Sequence, residues 1–589
     1  MHARKLLPGL ITLAASVFAE DFVLNLPWGK WQATTLPADP KILVFSNVRF
    51  GAQPERFSRS YSPDWMDDSF QHSEHNISCY QIDPFKTPTP PEGPGSILDP
   101  TEELYQTEDC LFLDLYVPKD ALVQQKKLPV TVWIYGGGYA FGSKTQGGPM
   151  YSGQSIIRAS EYNTIFVTGN YRVGAFGWLS GNYMEQVGQP NAGLYDQALL
   201  FEWVQQYIEQ VGGDRDKVSA WGESAGAGSI LHHLTRGDGK VNPNFRSFVA
   251  QSPGYQWAWD NCPGGKLDTL YRNFSRLAGC GYEFDIDCLR QQDIKILAQA
   301  DQELYISVTE TGLFPLGPSV DGEWIKTLSP ISIDQGKVWK DIDSAIIMHV
   351  GNEGYLFSPE YIVDEVAYDY FLNLFLPGDD MSTQRDAIKA QYDCKNWHGP
   401  GIADYRRCFS QLVAHAVFNC NGRDLFNTFH DRAYMMEYAY PAEDLSVHAT
   451  DLVAEFSNSE NETRDIYMDR GVHENIASMW ASAIEQHIRK KFQAYLGSFA
   501  VHGNPNTLNG VDRLHWPHAD GSKDLLSDVL QGKGPLFGII PPWELIQDKK
   551  NGNSSCQFWT KLVDEIVHSK GAYECDYMGS ENSSGGYEL

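Results

Sequence analysis

Short hydrophobic runs alternate along the chain with segments whose apolar residues recur at helical spacing. The runs are nearly continuous and predict buried strands, which we place at residues 128–135, 163–172, 217–222, 245–252, 344–351 and 433–440. Helical spacing predicts a helix over residues 192–211, and residues 229–234 are predicted to be helical as well. Buried apolar strands that alternate with helices are typical of a parallel sheet covered on both faces, so the pattern predicts an α/β fold.

The sequence also indicates how many domains the chain forms. The sequence contains no internal repeat and no linker, so a single α/β domain with long insertions is expected over residues 20–575. Near its start, residues 22–34 alternate between apolar and polar positions like a pair of strands. Residues 84–101 are rich in proline and glycine and predict an irregular loop. The polar, glycine-rich end, residues 576–589, predicts a disordered tail.

The first residues have the features of a secretory leader. A basic start, Met1–Lys5, precedes an apolar stretch that ends at Val17-Phe18-Ala19, with small residues at the positions that signal peptidase reads. We therefore predict a signal peptide over residues 1–19, with a buried N-terminal helix as the alternative. No later run of about 18 apolar residues is present to form a transmembrane anchor, so we expect a secreted protein.

Charge and cysteine content narrow the possible roles. The chain has 589 residues and a formal net charge of -29, which argues against nucleic-acid binding because that requires clustered lysine and arginine. The ten cysteines form an even set without a C-x-x-C pair, which favours disulfides over zinc. Five N-x-[ST] sequons support a glycosylated secreted protein, at Asn76, Asn273, Asn461, Asn553 and Asn582.

A candidate nucleophile lies in the stretch VSAWGESAGAGS, residues 218–229. Ser224 stands between Gly222 and Gly226 in a G-x-S-x-G pattern, directly after a predicted strand and at the start of a helix. A strand–turn–helix elbow of this kind strains the serine backbone and exposes its hydroxyl, while small neighbours let strand and helix approach closely. This context favours a catalytic serine over a tight turn built from small residues.

A serine nucleophile also needs groups that stabilise negative charge on the substrate oxygen. Residues 133–143, WIYGGGYAFGS, place three glycines after a strand, and we predict an oxyanion hole formed by the backbone N–H groups of Gly137, Gly138 and Ala225. The alternatives are a plain glycine-rich turn and a phosphate-binding loop. Neither the Walker pattern nor a G-x-G-x-x-G that opens a helix is present, which argues against nucleotide phosphates.

Four motifs, in this order, make the chain similar to a known family. They are TEDCLFLDLYVP with Glu108-Asp109-Cys110-Leu111, then IYGGG, GNYRVGAFGWL and GGDRDKVSAWGESAG. Together they resemble the type-B carboxylesterase/lipase family from about residue 22 to about residue 550, with Val211 departing from the usual aromatic residue. The resemblance implies an α/β-hydrolase fold, whose insertions form a gorge or cap, and a secreted hydrolase of carboxylic esters.

The resemblance also implies the other two residues of a catalytic triad, in the chain order serine, acid, histidine. Glu353, in the loop after the strand at 344–351, corresponds to the acid of the family, although this loop is shorter than usual. His448, in the sequence HATD, corresponds to the histidine. Asp451 is the second candidate for the acid, but the family places this position on the outer side of the loop.

Other polar residues near these motifs are interpreted as supporting the triad or as having no catalytic role. Ser252 matches a family serine that supports the triad from behind, although its neighbour here is Pro253 where the family has glycine. His232 and His233 follow Ser224 too closely in sequence to reach back to its hydroxyl. No metal or organic cofactor is implied, since the chain lacks the second histidine that a zinc-protease motif requires after its single His-Glu pair.

Disulfide pairings come from two sources. By position, the resemblance implies Cys79–Cys110 and Cys280–Cys288. Proximity in sequence alone suggests Cys394–Cys408 and Cys556–Cys575, and it leaves Cys262 and Cys420 undetermined.

The identity of the ester is less constrained. The loop between Cys79 and Cys110 is rich in proline and acidic residues and lacks the amphipathic stripe of a lipase lid, which favours small soluble esters, with a triacylglycerol or sterol-ester lipase as the alternative. A cholinesterase is disfavoured because residues 98–100 lack the tryptophan of that class. A catalytically silent adhesion-type homologue is disfavoured because all three triad residues are present.

Five aromatic residues are expected either to line the substrate pocket or to belong to the core: Tyr139, Phe141, Tyr255, Trp257 and Trp259.

Overall fold

A computed structural model describes most of the chain between residues 22 and 569. The described residues are 22–73, 75–84, 105–145, 151–255, 257, 260–308, 314–376, 378, 381–469, 473–484, 488–508, 513–534 and 543–569. Several predictions fall outside them: the leader 1–19, the loop 84–101 except its first residue, the tail 576–589, Trp259, Cys575 and Asn582.

The secondary structure of the described residues alternates between strands and helices. The strands are β1 (Val23–Leu26), β2 (Trp28–Gln32), β3 (Thr34–Thr35), β4 (Ile42–Arg49), β5 (Asp67–Phe70), β6 (Ile77–Ser78), β7 (Tyr105–Gln106), β8 (Phe112–Pro118), β9 (Leu128–Ile134), β10 (Ile165–Gly169), β11 (Gly213–Glu223), β12 (Ser247–Gln251), β13 (Ser344–Val350), β14 (Ala433–Ala439), β15 (Leu526–Lys533) and β16 (Trp543–Asp548). The helices are α1 (Lys119–Val123), α2 (Gln154–Ala159), α3 (Gly174–Trp178), α4 (Asn182–Val187), α5 (Ala192–Tyr207), α6 (Ala225–Gly239), α7 (Lys266–Leu277), α8 (Ile286–Gln291), α9 (Ile294–Val308), α10 (Ser329–Asp334), α11 (Glu365–Phe375), α12 (Ser382–Gln391), α13 (Tyr405–Val413), α14 (Cys420–Phe429), α15 (Asp451–Phe456), α16 (Glu460–Asp469), α17 (Glu474–Ile484), α18 (Lys490–His502) and α19 (Asn553–Ser569).

One large sheet organises these elements. Its strand order is β16-β15-β14-β13-β12-β11-β9-β10-β8-β4-β3. The seven consecutive strands from β15 to β10 in this order are parallel to one another. The pair β15–β16 at one edge and the pairs β10–β8, β8–β4 and β4–β3 at the other are antiparallel. Helices connect most of the parallel strands, as crossover connections require. The sheet confirms the predicted α/β class.

The predicted elements are present, with shifted ends. The helix predicted over 192–211 is α5, which ends at Tyr207 and continues as a 3-10 helix over Ile208–Val211. The strand predicted over 217–222 begins earlier, at Gly213, because β11 includes a charged and mostly exposed stretch at its amino end. The pairing with β9 has one partner at Gly213, is interrupted across this charged stretch and resumes at Val218, where the apolar run starts. Residues 22–34 form the antiparallel pair β1–β2, as expected.

Parallel strands bring the sequence candidates to one edge of the sheet. Gly136–Gly138 lie shortly after β9, Ser224 directly after β11, and Ser252 directly after β12. Glu353 follows β13 by three residues, and His448 lies in the connection after β14. Because the carboxyl ends of these neighbouring strands meet at the same edge, residues far apart in sequence meet there.

Disulfides connect several of the insertions. The structure contains Cys79–Cys110, Cys280–Cys288, Cys394–Cys408 and Cys420–Cys556. The predicted bond between Cys556 and Cys575 is wrong, because α14 and α19 pack together and bring Cys420 to within 5.0 Å of Cys556, measured between Cα atoms. Cys262 is also disulfide-bonded. Among the helices that the structure describes, none combines the length and the hydropathy needed to cross a bilayer.

The end of β16 and the residues after it contact strand β13, which leads to Glu353, and the connection that leads to His448. His349, on β13 ahead of Glu353, is buried and lies 3.0 Å from Asp548. Burial lowers the pKa of His349, but the adjacent carboxylate of Asp548 raises it to about 9, so the pair is ionic at neutral pH. Lys550 lies 2.6 Å from Glu443, in the connection that leads to His448. These contacts fix the two loops against the rigid sheet.

Candidate active site

Ser224 occupies a strained turn between β11 and α6. Its backbone angles are φ 56° and ψ -122°, a region that residues with a side chain rarely adopt. The turn is tight, since a Cβ atom on Gly226 would lie 2.0 Å from the carbonyl oxygen of Ile134, and one on Gly222 would lie 2.7 Å from Gly226. Only glycine fits on both sides, which explains the spacing of the G-x-S-x-G motif.

His448 and Glu353 form a buried hydrogen-bonded pair. His448 Nδ1 donates to Glu353 Oε2 at 2.6 Å. The other carboxylate oxygen accepts from Ser252 Oγ at 2.6 Å and from the Val350 amide at 2.8 Å. Burial alone raises the pKa of Glu353, but the hydrogen bonds from His448, Ser252 and Val350 hold it below its usual value. The acid is therefore ionised and its position is fixed by three donors.

Ser224 lines one cavity together with the two aromatic rings that pack on His448. Ser224 lines the cavity beside Phe357 and Phe418, whose ring centroids lie 5.3 Å and 4.4 Å from the imidazole of His448. His448 Nε2, the nitrogen opposite Glu353, forms no hydrogen bond within the described part of the chain and lies 3.3 Å from Glu223 Oε1. The imidazole and the serine therefore both adjoin Phe357 and Phe418, and Glu223 is the carboxylate nearest to Nε2.

Backbone N–H groups also face this region. Gly137 and Gly138 have φ angles of 103° and 61°, conformations that favour glycine. Their amides donate to no other group of the described residues, and Gly138 lines the cavity. Ala225 is the first residue of α6, so its amide is one of the unpaired N–H groups at a helix start. The arrangement is able to stabilise an oxygen anion next to Ser224.

The walls of the cavity are apolar and close around the serine. Two of the five aromatic residues considered from sequence, Tyr139 and Tyr255, line it, whereas Trp257 packs against Trp559. Sequence reasoning missed several wall residues: Phe314, Leu316, Phe357, Val417 and Phe418. Val417 and Phe418 lie in a π-helix, Ala414–Asn419, a local widening that often marks functional sites. The cavity volume is about 40 Å³, enough for a few atoms of substrate.

Asp451 has a different environment from the one expected. It is fully buried, so its placement on the outer side of the loop is wrong. Its Oδ2 atom accepts from Gln251 Nε2 at 2.8 Å, and the carboxylate does not bind His448. Burial raises the pKa of Asp451 to about 6. The side chain enters the interior because α15 begins at this residue and packs against α2 and α18.

The two histidines on α6 are structural. His232 Nδ1 lies 3.2 Å from Ser329 Oγ, and His233 Nε2 lies 3.1 Å from Gln197 Oε1. Burial lowers the pKa of both to about 3, so they are neutral at physiological pH.

Two buried acids, one beside His448 and one on α15, were not recognised in the sequence. Glu223 precedes the candidate nucleophile, and burial, together with Asp451 and Glu353, raises its pKa well above the usual value, although His448 opposes the shift. Glu455 lies four residues after Asp451, in the otherwise apolar stretch LVAEF. A single acid inside an apolar helix was the available signal, since such a residue is either exposed at a helix edge or buried with a special role.

Comparison with known proteins identifies one family. The profile described as the carboxylesterase family matches residues 20–558. A secreted lipase of Arthroderma benhamiae is 35% identical over 494 residues, which cover 82% of this chain and 88% of the lipase. The carboxylesterase patB of Aspergillus clavatus is 31% identical over 78% of this chain and 76% of that protein. The fold is also that of Aspergillus niger EstA, with a TM-score of 0.71, 24% identity, and coverage of 92% and 98%.

Proposed function

The chain belongs to the carboxylesterase family, and we propose that it hydrolyses carboxylic esters through an acyl-enzyme intermediate on Ser224. The observation that carries the proposal is the 2.6 Å hydrogen bond from His448 to Glu353, buried beside the cavity that Ser224 lines. A buried carboxylate on Nδ1 leaves Nε2 as the proton acceptor, which is the arrangement that activates a serine hydroxyl.

The reaction proceeds in two matching halves. Ser224 Oγ attacks the carbonyl carbon while His448 Nε2 takes the hydroxyl proton, and the resulting oxyanion accepts hydrogen bonds from the amides of Gly137, Gly138 and Ala225. The bond from carbon to the leaving oxygen then breaks, and His448 gives its proton to the alcohol. Water attacks the acyl group in the same way, which releases the carboxylic acid and restores the serine.

Glu353 and Ser252 act on the histidine and not on the substrate. Glu353 keeps the proton of the neutral imidazole on Nδ1 and stabilises the imidazolium that forms during attack. Ser252 donates to the second oxygen of Glu353, so it holds the carboxylate in the plane that suits His448. His448 Nε2 forms no hydrogen bond with Ser224 in the described structure, which is consistent with this mechanism because catalytic hydrogen bonds often tighten only when substrate binds.

The acyl-enzyme intermediate is tested by measuring how it divides between reaction with water and reaction with methanol. Ethyl, phenyl and p-nitrophenyl butyrate carry the same acyl group, so they form the same acyl-enzyme. With methanol added, we expect the ratio of methyl butyrate to butyric acid to be identical for all three, because water and methanol compete for one species. Product analysis by gas chromatography measures the ratio. A ratio that changes with the leaving alcohol would contradict the intermediate.

The dependence of activity on pH is a second prediction. Burial lowers the pKa of His448, but the carboxylates of Glu223 and Glu353 raise it above the ordinary value near 6.5. The base works only when neutral, so kcat/KM should fall below a midpoint that lies above pH 6.5. Burial raises the pKa of Glu223 itself to about 8, so its carboxyl is only partly ionised where His448 titrates. Glu223→Gln removes this partial charge, which favours the imidazolium, and we expect the midpoint to fall by about half a unit. An unchanged or higher midpoint would contradict this electrostatic assignment.

Small soluble esters are the favoured substrates. The cavity beside Ser224 is narrow and has apolar, mostly aromatic walls, which suits a short acyl group. The acidic, proline-rich loop between Cys79 and Cys110 agrees with this choice.

An interfacial lipase is the second candidate. The relative from Arthroderma benhamiae is named a secreted lipase. In addition, Val363 and Val366 are 72% and 79% exposed, shortly after the cavity residue Phe357. Rates on dissolved butyrate esters and on a long-chain triacylglycerol emulsion separate the two candidates, and faster turnover of the emulsion would favour the lipase.

Secretion and glycosylation complete the proposal. Four disulfides and the resemblance to a secreted lipase support an extracellular protein. Among the sequons, Asn76 and Asn461 are exposed, and Asn273 and Asn553 are half-buried. The two exposed positions are the better acceptors for a glycan.

A further inference from the structure

Three buried carboxyl groups act on one another near the start of α15, and two of them, Glu223 and Asp451, also act on His448. We call Glu223, Asp451 and Glu455 the buried acid trio. Glu223 ends β11 and is 1% exposed, while Asp451 and Glu455 are fully buried on α15. Asp451 and Glu455 are four residues apart on one helix, so their side chains are neighbours on the same face.

No cation compensates the trio within the residues that the structure describes. The charged groups that act on Glu455 are the other two acids. The arginine side chains on and next to the helices that pack against α15 bind other groups. Arg158 of α2 binds Asp39 at 2.6 Å. Arg489, which precedes α18, donates to the carbonyl oxygen of Ser457 and to the side chain of Gln493.

The oxygen atoms of the trio lack donors as well. Gln251 Nε2 donates to Asp451 Oδ2 and its amide also lies close enough to act on Glu455. Asp451 Oδ1 and both carboxyl oxygens of Glu455 nevertheless form no well-aligned hydrogen bond with a described residue. Buried acceptors without donors are costly, and adjacent buried negative charges add to the cost. A single proton on Glu455 removes one charge and supplies one donor.

We propose that Glu455 carries a proton at neutral pH and donates it in a hydrogen bond to Asp451, which makes Glu455 a positioning residue for the catalytic histidine. Burial and the neighbouring charges of Asp451 and Glu223 raise the pKa of Glu455 well above its usual value, although Gln251 opposes the shift. Asp451 begins α15 three residues after His448, so this bond fixes the chain that carries the imidazole.

The proton also controls the charge near the base. An ionised Glu455 would add a negative charge to the trio and favour the imidazolium form of His448, which cannot accept the proton of Ser224. A neutral Glu455 leaves the imidazole available at lower pH. The inference rests on the proposed role of His448 as the base.

Two substitutions separate hydrogen bonding from packing. Glu455→Leu fills a similar space but donates no hydrogen bond, and we expect kcat to fall about tenfold with KM nearly unchanged. Glu455→Gln keeps a neutral donor and is expected to restore kcat to within about twofold, with the acid midpoint of kcat/KM within about 0.3 pH unit of the wild type. Equal activity of the two variants, or a midpoint in Glu455→Gln about one unit lower, would overturn the proposal.

Infrared spectroscopy detects the proton without turnover. At pH 7 the wild type should show the C=O stretch of a protonated carboxyl group, which shifts in D2O and is lost from the Glu455→Gln spectrum. Burial raises the pKa of Glu223 and of Asp424 to about 8, so these groups contribute bands of their own and the test is the difference between the two spectra. Identical wild-type and variant spectra in the protonated-carboxyl region would overturn the assignment. Because the readout does not depend on catalysis, it stands even if Ser224→Ala shows the proposed function to be wrong. Matching far-UV circular dichroism spectra verify that both variants fold.

Discussion

Replacing Ser224 with alanine is expected to lower kcat for p-nitrophenyl butyrate by about 10⁴-fold or more. The substitution removes the only atom that bonds to the acyl carbon, while the amides of Gly137, Gly138 and Ala225 remain. Those amides account for the residual rate over uncatalysed hydrolysis. Steady-state kinetics with purified protein, together with circular dichroism to verify folding, measure the effect.

A matched serine provides the control. Ser247 begins β12, about 13 Å along the strand from the edge that carries the site, so Ser247→Ala should retain activity. Ser224→Ala with more than a tenth of wild-type activity would identify a different nucleophile. An equal loss in both variants would indicate damage to the fold and not to the chemistry.

The second large effect concerns the acid of the triad. Glu353→Gln is expected to lower kcat by about 10⁴-fold, because an amide in place of the carboxylate neither holds the required tautomer nor stabilises the imidazolium. Asp451→Asn is the matched comparison, since it makes the same chemical change in a fully buried acid near His448. Asp451 binds Gln251 and not the histidine, so we expect less than a tenfold loss.

Parallel measurements of kcat for both variants decide the assignment. A greater loss in Asp451→Asn than in Glu353→Gln would transfer the role of the acid to Asp451. Similar losses would show that the pair between His448 and Glu353 has no special role. Substrate affinity should change little in either variant, because neither side chain lines the cavity beside Ser224.

The sequence predicted the parts of the site that local chemistry determines. Strand β11, the glycines beside Ser224 and the start of α6 are consecutive, so the strained turn is visible in one short motif. The central strands were predictable for the same reason, since each is a continuous buried apolar run. Glu353 and His448 are distant in sequence, and the family resemblance, not the pattern, predicted them as candidates.

The remaining features depend on tertiary packing. Cys420 and Cys556 are 136 residues apart and meet only because α14 and α19 pack together, so proximity in sequence suggested the wrong partner for Cys556. The burial of Asp451 and Glu455 follows from the direction of α15, which the sequence HATDLVAEF does not determine. The cavity walls come from separate loops and a π-helix, and no single motif connects Phe314, Phe357 and Phe418.

Active-site labelling tests the central claim most directly. The account predicts that a fluorophosphonate probe forms one covalent adduct per molecule, that peptide mass spectrometry locates it on Ser224, and that neither Ser224→Ala nor heat-denatured protein is labelled. Absence of an adduct from active protein, or an adduct on another residue while hydrolysis is inhibited, would contradict it.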